Sequence, residues 1–207
     1  LVTSPFLNIS TLVRTNPVKR QDGNIELPVY HEFAGKFSES LIVSREIQVI
    51  DKVRISWGNN SLQPAIAPLG RFSGLALLRY AGEPPGKIWS ATSKNAGDNW
   101  TKPKLTKLAN PNAAVALLNT GDGNLLLALN DIEDGRNRLS LATRPIDNGR
   151  WKVVKTIEEE ENQPKFEYEF SYPSLTMDEE ENIHMVYTWN QKRIRHINFN
   201  LAWLNKS

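Results

Sequence analysis

The chain has 207 residues, 40% of them hydrophobic, enough to bury a substantial core, and its composition carries no long helical pattern. Its 25 Lys and Arg and 23 Asp and Glu are interspersed, so the formal charge of +2 creates no long-range field suited to a polyanion, and nucleic acid is not an expected partner. Cysteine is absent, which excludes disulfides and thiol chemistry without fixing a compartment, and no apolar run approaches the roughly eighteen residues of a membrane span. The opening at Leu1, without a basic-then-apolar leader, reads as a cut through a longer protein.

Taken in chain order, the hydrophobic segments repeat. The first unit pairs residues 8–15 (NISTLVRT) with 25–33 (IELPVYHEF) across a turn at 21–24, and 40–45 (SLIVSR) follows as a third strand. The second runs through 63–69 (QPAIAPL), 75–80 (LALLRY) and 87–93 (KIWSATS). The third has 113–119 (AAVALLN), 125–131 (LLLALND) and 138–144 (RLSLATR), and the fourth 171–177 (SYPSLTM), 183–190 (IHMVYTWN) and 193–200 (RIRHINFN). The second strands open on turn residues at Asp22, Gly70, Gly121 and Asp178, about fifty residues apart. That period, with about four strands to a unit, predicts an all-β fold, a β-propeller of about four blades, because one small sheet cannot cover both its faces and must stack against the next. The run from Glu158 to Glu161, with Asn162, Gln163 and Pro164, reads as a solvated loop.

The most specific motif is Ser93-Lys94-Asn95-Ala96-Gly97-Asp98-Asn99-Trp100. It has the chemistry of a tight turn: short polar side chains to cap backbone N–H groups, a glycine for positive φ, and an indole to pack between sheets. A degenerate copy, Asp147-Asn148-Gly149-Arg150-Trp151, falls at the same place in the next unit. In an antiparallel hairpin the start of the first strand and the end of the second share one edge. One rim is therefore expected to collect Asn8, Tyr30, His31, Glu32, Gln63, Arg79, Tyr80, Asn110, Asn112, Asn130, Asp131, Arg136, Tyr172, Trp189 and Asn190, and the site is placed there. Trp189 reads equally as an inter-blade packing residue or a sugar-stacking platform. His31, His184 and His196 lack metal-ligand spacing, no cofactor motif is present, and Arg193 and Arg195, alternating with Ile194, are expected to face solvent.

The turn motif resembles the Asp-box of sialidases, Ser-x-Asp-x-Gly-x-Thr-Trp, with Asn95 and Asn99 in place of Asp and Thr. The chain is similar to the C-terminal part of a BNR/Asp-box sialidase (neuraminidase) propeller of bacterial type, from about Leu62 to Phe199. The resemblance implies one propeller domain over residues 1–207, part of a six-bladed parent whose N-terminal blades would be its partner, and a periplasmic or secreted setting. Sialidases hold the sugar carboxylate with three arginines, since planar guanidinium forks suit carboxylates, and use a tyrosine nucleophile, an assisting glutamate and an acid/base aspartate. Arg79 resembles the second arginine, Arg136 the third, and Tyr172, in Ser171-Tyr172-Pro173-Ser174-Leu175, the nucleophile.

Two departures follow. The glutamate position carries Gln63, which hydrogen-bonds a phenol but takes no proton, so Glu32 or Glu169 would have to substitute. The first arginine and the aspartate belong to the N-terminal part of the family's propeller, so the segment alone is expected to be inactive. The leading expectation is thus a retaining glycoside hydrolase for a terminal acidic sugar, with Tyr172, Glu32 and Gln63 at the reaction and Arg79, Arg136, Tyr80, Asn112, Asn130 and Trp189 on the substrate. The alternatives are a carbohydrate-binding or scaffold propeller without the reaction, and a glycosidase or lyase of other sugar specificity. Neither cofactor nor metal is implied.

Overall fold

The computed structural model describes residues 10–33, 35–58, 60–147, 149–160 and 168–206. The fold is all-β, with one short helix among the described residues. Two compact units are present, the first within Leu1–Ala81 and Ile88–Thr106, the second within Gly82–Lys87 and Lys107–Ser207.

The first unit holds two antiparallel sheets. One comprises β1 (Thr11–Val13), β2 (Val18–Lys19), β3 (Ile25–His31), β4 (Phe37–Val43) and β5 (Val49–Arg54), ordered β1-β3-β4-β5 with β2 beside β3. The other comprises β6 (Ser61–Pro68), β7 (Gly74–Tyr80), β8 (Lys87–Ser93) and β9 (Lys104–Ala109), in sequential order, of which Lys87 and residues 107–109 fall within the second unit's bounds. The second unit holds β10 (Ala116–Asn119), β11 (Asn124–Leu129), β12 (Arg138–Pro145) and β13 (Lys152–Glu159), and then β14 (Phe170–Met177), β15 (Ile183–Trp189) and β16 (Arg193–Phe199), followed by helix α1 (Leu201–Leu204). The four expected second strands are β3, β7, β11 and β15. Each sheet is a meander because tight turns join neighbours, and the turn residues that punctuate the sequence supply them.

Burial explains why the strands are so apolar. Leu125 to Leu129 are all fully buried, on both faces of β11, which a sheet with one wet face would not require. In the second unit Leu126, Leu139, Leu141, Phe170, Met185 and Tyr187 form one core across both sheets. In the first, Ile55, Ile66, Ala76, Leu78 and Ala91 form another, with Val18, Trp89 and Trp100 against it.

The Asp-box-like tract is the expected turn. Ser93 Oγ accepts from the Gly97 amide at 2.9 Å, Asn95 Oδ1 accepts from the Asn99 amide at 3.1 Å, and Gly97 has φ +93°. Asparagine caps the turn here because its side-chain oxygen accepts from a backbone N–H as a carboxylate oxygen would. In the degenerate copy Asn148 lies outside the described residues, and Arg144 covers Trp151 with its Cζ 5.7 Å from the ring centroid.

One local reading is corrected. Glu158 and Glu159 end strand β13 and do not belong to a loop; Glu158 accepts hydrogen bonds from the buried Tyr187 hydroxyl and from Arg195. Glu161 to Pro164 lie outside the described residues.

Candidate active site

Two strands share an unusual start. In β6 Leu62 faces Arg79 while Ala65 faces Leu77, and in β14 Ser171 faces Thr188 while Ser174 faces Val186, so each strand carries one extra residue. The displaced pairs are Gln63-Pro64 and Tyr172-Pro173, with φ +51° at Gln63 and +53° at Tyr172. Proline has no N–H to lose from the ladder, so the slip sacrifices no donor there. A bulge of this kind bends the strand and re-aims a side chain. Left-handed backbone costs a non-glycine residue about 1–2 kcal/mol, and such strain gathers at functional sites.

In the first unit Gln63 is buried, 4% exposed, and both ends of its amide are engaged. Its Nε2 donates to the Tyr30 hydroxyl at 3.3 Å, and its Oε1 accepts from Arg79 Nη1 at 3.1 Å. The structure therefore joins Gln63, Arg79 and Tyr30. Tyr80, half-buried, ends β7 opposite Ser61. Glu32 is exposed just beyond β3, and the bonds of Gln63 run to Tyr30 and Arg79 rather than to it.

His31 belongs to a cluster that sequence reasoning missed. Its Nε2 lies 2.8 Å from Oε2 of Glu39, and its Nδ1 lies 3.2 Å from Ser10 Oγ. Glu39 is buried in the middle of β4, its Oε1 3.0 Å from Arg54 and its Oε2 3.9 Å from Lys52. The visible signal was a glutamate between two serines at the head of the apolar run Leu41–Val43. A buried carboxylate requires such partners, and these two cations and the imidazole supply them. Asn8 lies outside the described residues.

In the second unit Arg136 is the centre. Its Nη1 bonds Glu169 Oε1 at 2.7 Å, its Nη2 donates to the Asn112 carbonyl at 2.8 Å, and its Cζ sits 5.7 Å from the ring centroid of Tyr172. An open cleft of about 350 Å³ lies here, lined among others by Pro84, Asn112, Asp134, Arg136, Tyr168 and Glu169. Tyr172, whose ring faces Arg136, is 43% exposed. Partial burial would raise the Glu169 carboxyl, but its polar neighbours Ser171, Gln191 and Arg136 outweigh that and hold it below the usual carboxylate range. Glu169 is thus a firm anion and a weakened base.

Other rim residues are occupied with structure. Asn130 is fully buried; its Nδ2 donates to the carbonyls of Arg138, at 2.6 Å, and Phe170, at 2.9 Å. Asn110 caps its own loop through the Ala113 carbonyl and amide. Asp131 takes Arg138 and Ser140. Trp189 packs among Tyr168 and Phe170, with the Arg193 guanidinium 4.3 Å from its ring centroid. His184 meets His196 at 3.0 Å and Asp178 at 2.9 Å, and no group of three or more His, Cys, Asp or Glu among the described residues is placed to hold a metal ion. No helix among them is long and apolar enough to cross a membrane.

The model of the BNR repeat-like domain family matches residues 1–185. The chain belongs to that family. No curated protein matches it. Among solved structures, this BNR repeat-like chain resembles the NanB sialidase from Streptococcus pneumoniae, at 14% identity and a TM-score of 0.67 over 90% of this chain and 30% of that one. It also resembles the intramolecular trans-sialidase from Ruminococcus gnavus, at 15% identity and a TM-score of 0.67 over 93% and 44%. A protein of unknown function from Dyadobacter fermentans matches at 12% identity and a TM-score of 0.59 over 91% and 52%. The BNR chain thus spans between about a third and a half of these structures, and at such identities the likeness establishes the fold: a sialidase-like β-propeller.

Proposed function

We propose that this BNR propeller binds a terminal acidic sugar and belongs to a glycoside hydrolase of sialidase type, with Arg136 as a carboxylate fork and Tyr172 as the nucleophile in the second unit, and Arg79 as a carboxylate fork in the first. The observation that carries the reading is the repeated bulge, which spends backbone strain to present Gln63 beside Arg79 and Tyr172 beside Arg136. A left-handed backbone at a tyrosine that stays 43% exposed beside Arg136 supports a role in presenting that side chain. The neighbours found in solved structures include sialidases and trans-sialidases, which supports an acidic sugar as the ligand class.

In this reading the Tyr172 oxygen bonds to the anomeric carbon as the bond to the leaving alcohol breaks, and water later releases the sugar. A phenol is a weak nucleophile at neutral pH unless a base takes its proton. Gln63 accepts none, Glu32 is exposed and apart from Gln63's bonds, and Glu169 is held as a weak base. Gln63 therefore favours a second reading, a propeller that binds the sugar without turning it over.

Aryl glycosides of sialic acid and related acidic sugars, assayed with the full-length protein, separate the two. Hydrolysis abolished in Tyr172→Phe, and raised in Gln63→Glu, supports the enzyme. Saturable binding lost in Arg136→Ala and Arg79→Ala, without hydrolysis in any variant, supports the binder. Neither binding nor hydrolysis would refute both.

A further inference from the structure

At the other end of β6 from Gln63, the turn after β2 and the 93–100 turn enclose a recess of about 40 Å³ lined by Arg20, Glu26, Ile66, Gly97 and Trp100. Arg20 is held on two sides, Nη2 by Asp98 at 2.5 Å and Nε by Asp22 at 3.5 Å, and its side chain is 8% exposed. Its Nη1 is buried without a partner among the described residues, and so is Nε1 of Trp100. A Cβ on Gly97 would lie 2.7 Å from Glu26 Oε2 and 3.2 Å from Arg20 Nη1, so carboxyl and guanidinium both border the space that the glycine leaves open. Unpartnered buried donors are costly, and a recess of this size admits about one small polar group.

The donor set selects that group. An occupant must accept from an N–H, and beside the Glu26 carboxyl a neutral acceptor suits the place better than an anion; a water or a sugar hydroxyl fits, and an ammonium cannot accept. The recess adjoins an open cleft of about 430 Å³ that shares Arg20, Gln21, Arg71 and Ala96 with it and adds Asp22, Phe72, Asn95 and Asp98. Phe72 is 55% exposed there, with the Arg71 Cζ 5.1 Å from its ring centroid. An exposed aromatic ring beside several short polar groups, in a cleft of this volume, suits a sugar ring or two.

We infer that this cleft is a second carbohydrate site, separate from the Arg136 cleft and independent of the catalytic reading, with one sugar hydroxyl seated in the Arg20–Glu26 recess and the ring against Phe72.

The indole N–H resonance of Trp100, a residue that lines the recess, is identified by its loss in Trp100→Phe and serves as the reporter. Titrated in turn with lactose, maltose and cellobiose, it should move saturably with at least one of them and stay still with glycerol. Phe72→Ala and Arg71→Ala, both on exposed side chains, should weaken that response about tenfold or more, which corresponds to about 1.4 kcal/mol, while Tyr172→Phe leaves it unchanged. No movement with any of the three sugars, an equal response to glycerol, or an undiminished response in Phe72→Ala would overturn the inference.

Discussion

Asn130 separates two roles that its position allows, ligand to a sugar or fastener of two sheets. Its amide nitrogen donates to a carbonyl of β12 and one of β14, both in the second unit, at 2.6 and 2.9 Å, and the side chain is fully buried. Asn130→Ala removes both bonds and leaves two carbonyls short of a donor, at about 1–3 kcal/mol each. Its Oδ1 is buried without a partner, so the substitution recovers part of that, and the expected net loss is about 2–4 kcal/mol. Asn130→Asp should be worse, about 3–5 kcal/mol, since a carboxylate there places an unpaired buried charge against two carbonyl oxygens. Urea unfolding followed by tryptophan fluorescence measures both. A loss under about 0.5 kcal/mol in Asn130→Ala would refute the fastening argument. If sugar affinity also fell in that stable variant, Asn130 would be a ligand.

Three further expectations test the charged groups and the core. Burial, together with the Glu158 carboxylate, raises the Tyr187 hydroxyl above its ordinary 10.0, so the folded state holds this proton more tightly; stability should fall with rising pH above 10.0 in the wild type and less steeply in Tyr187→Phe, read from midpoints of thermal unfolding. Burial also raises the Glu26 carboxyl above 4.5, against the opposing pull of Ser40 and Arg20. The folded state therefore binds this proton more tightly than the unfolded one: the stabilisation is complete below 4.5 and declines as pH rises through the folded value, so Glu26→Gln should gain on the wild type between acid and neutral pH in the same assay. Leu127→Ala, at a fully buried position, should cost about 2–5 kcal/mol by urea unfolding; a cost near zero would mean that the core can close around the cavity.

The sequence is informative wherever a property is local. Apolar runs bounded by glycine, aspartate and asparagine place β3, β7, β11 and β15, and the 93–100 tract announces its own turn, because strand length and turn chemistry depend on near neighbours. The Gln63-Pro64 and Tyr172-Pro173 pairs mark strand openings, but the left-handed backbone and the slipped ladder behind them become visible only with the partner strand in place. Glu158 reads as solvated within a run of four glutamates, yet the neighbouring sheet brings Tyr187 and Arg195 to it. Asn130 and Glu39 look like rim and strand polarity until burial commits one to two carbonyls and the other to His31 and Arg54. Alternation along a strand tells which residues share a face; what covers that face is decided by other sheets, tens of residues away, and a polar side chain's role depends on whether that covering brings it a partner or leaves it to water.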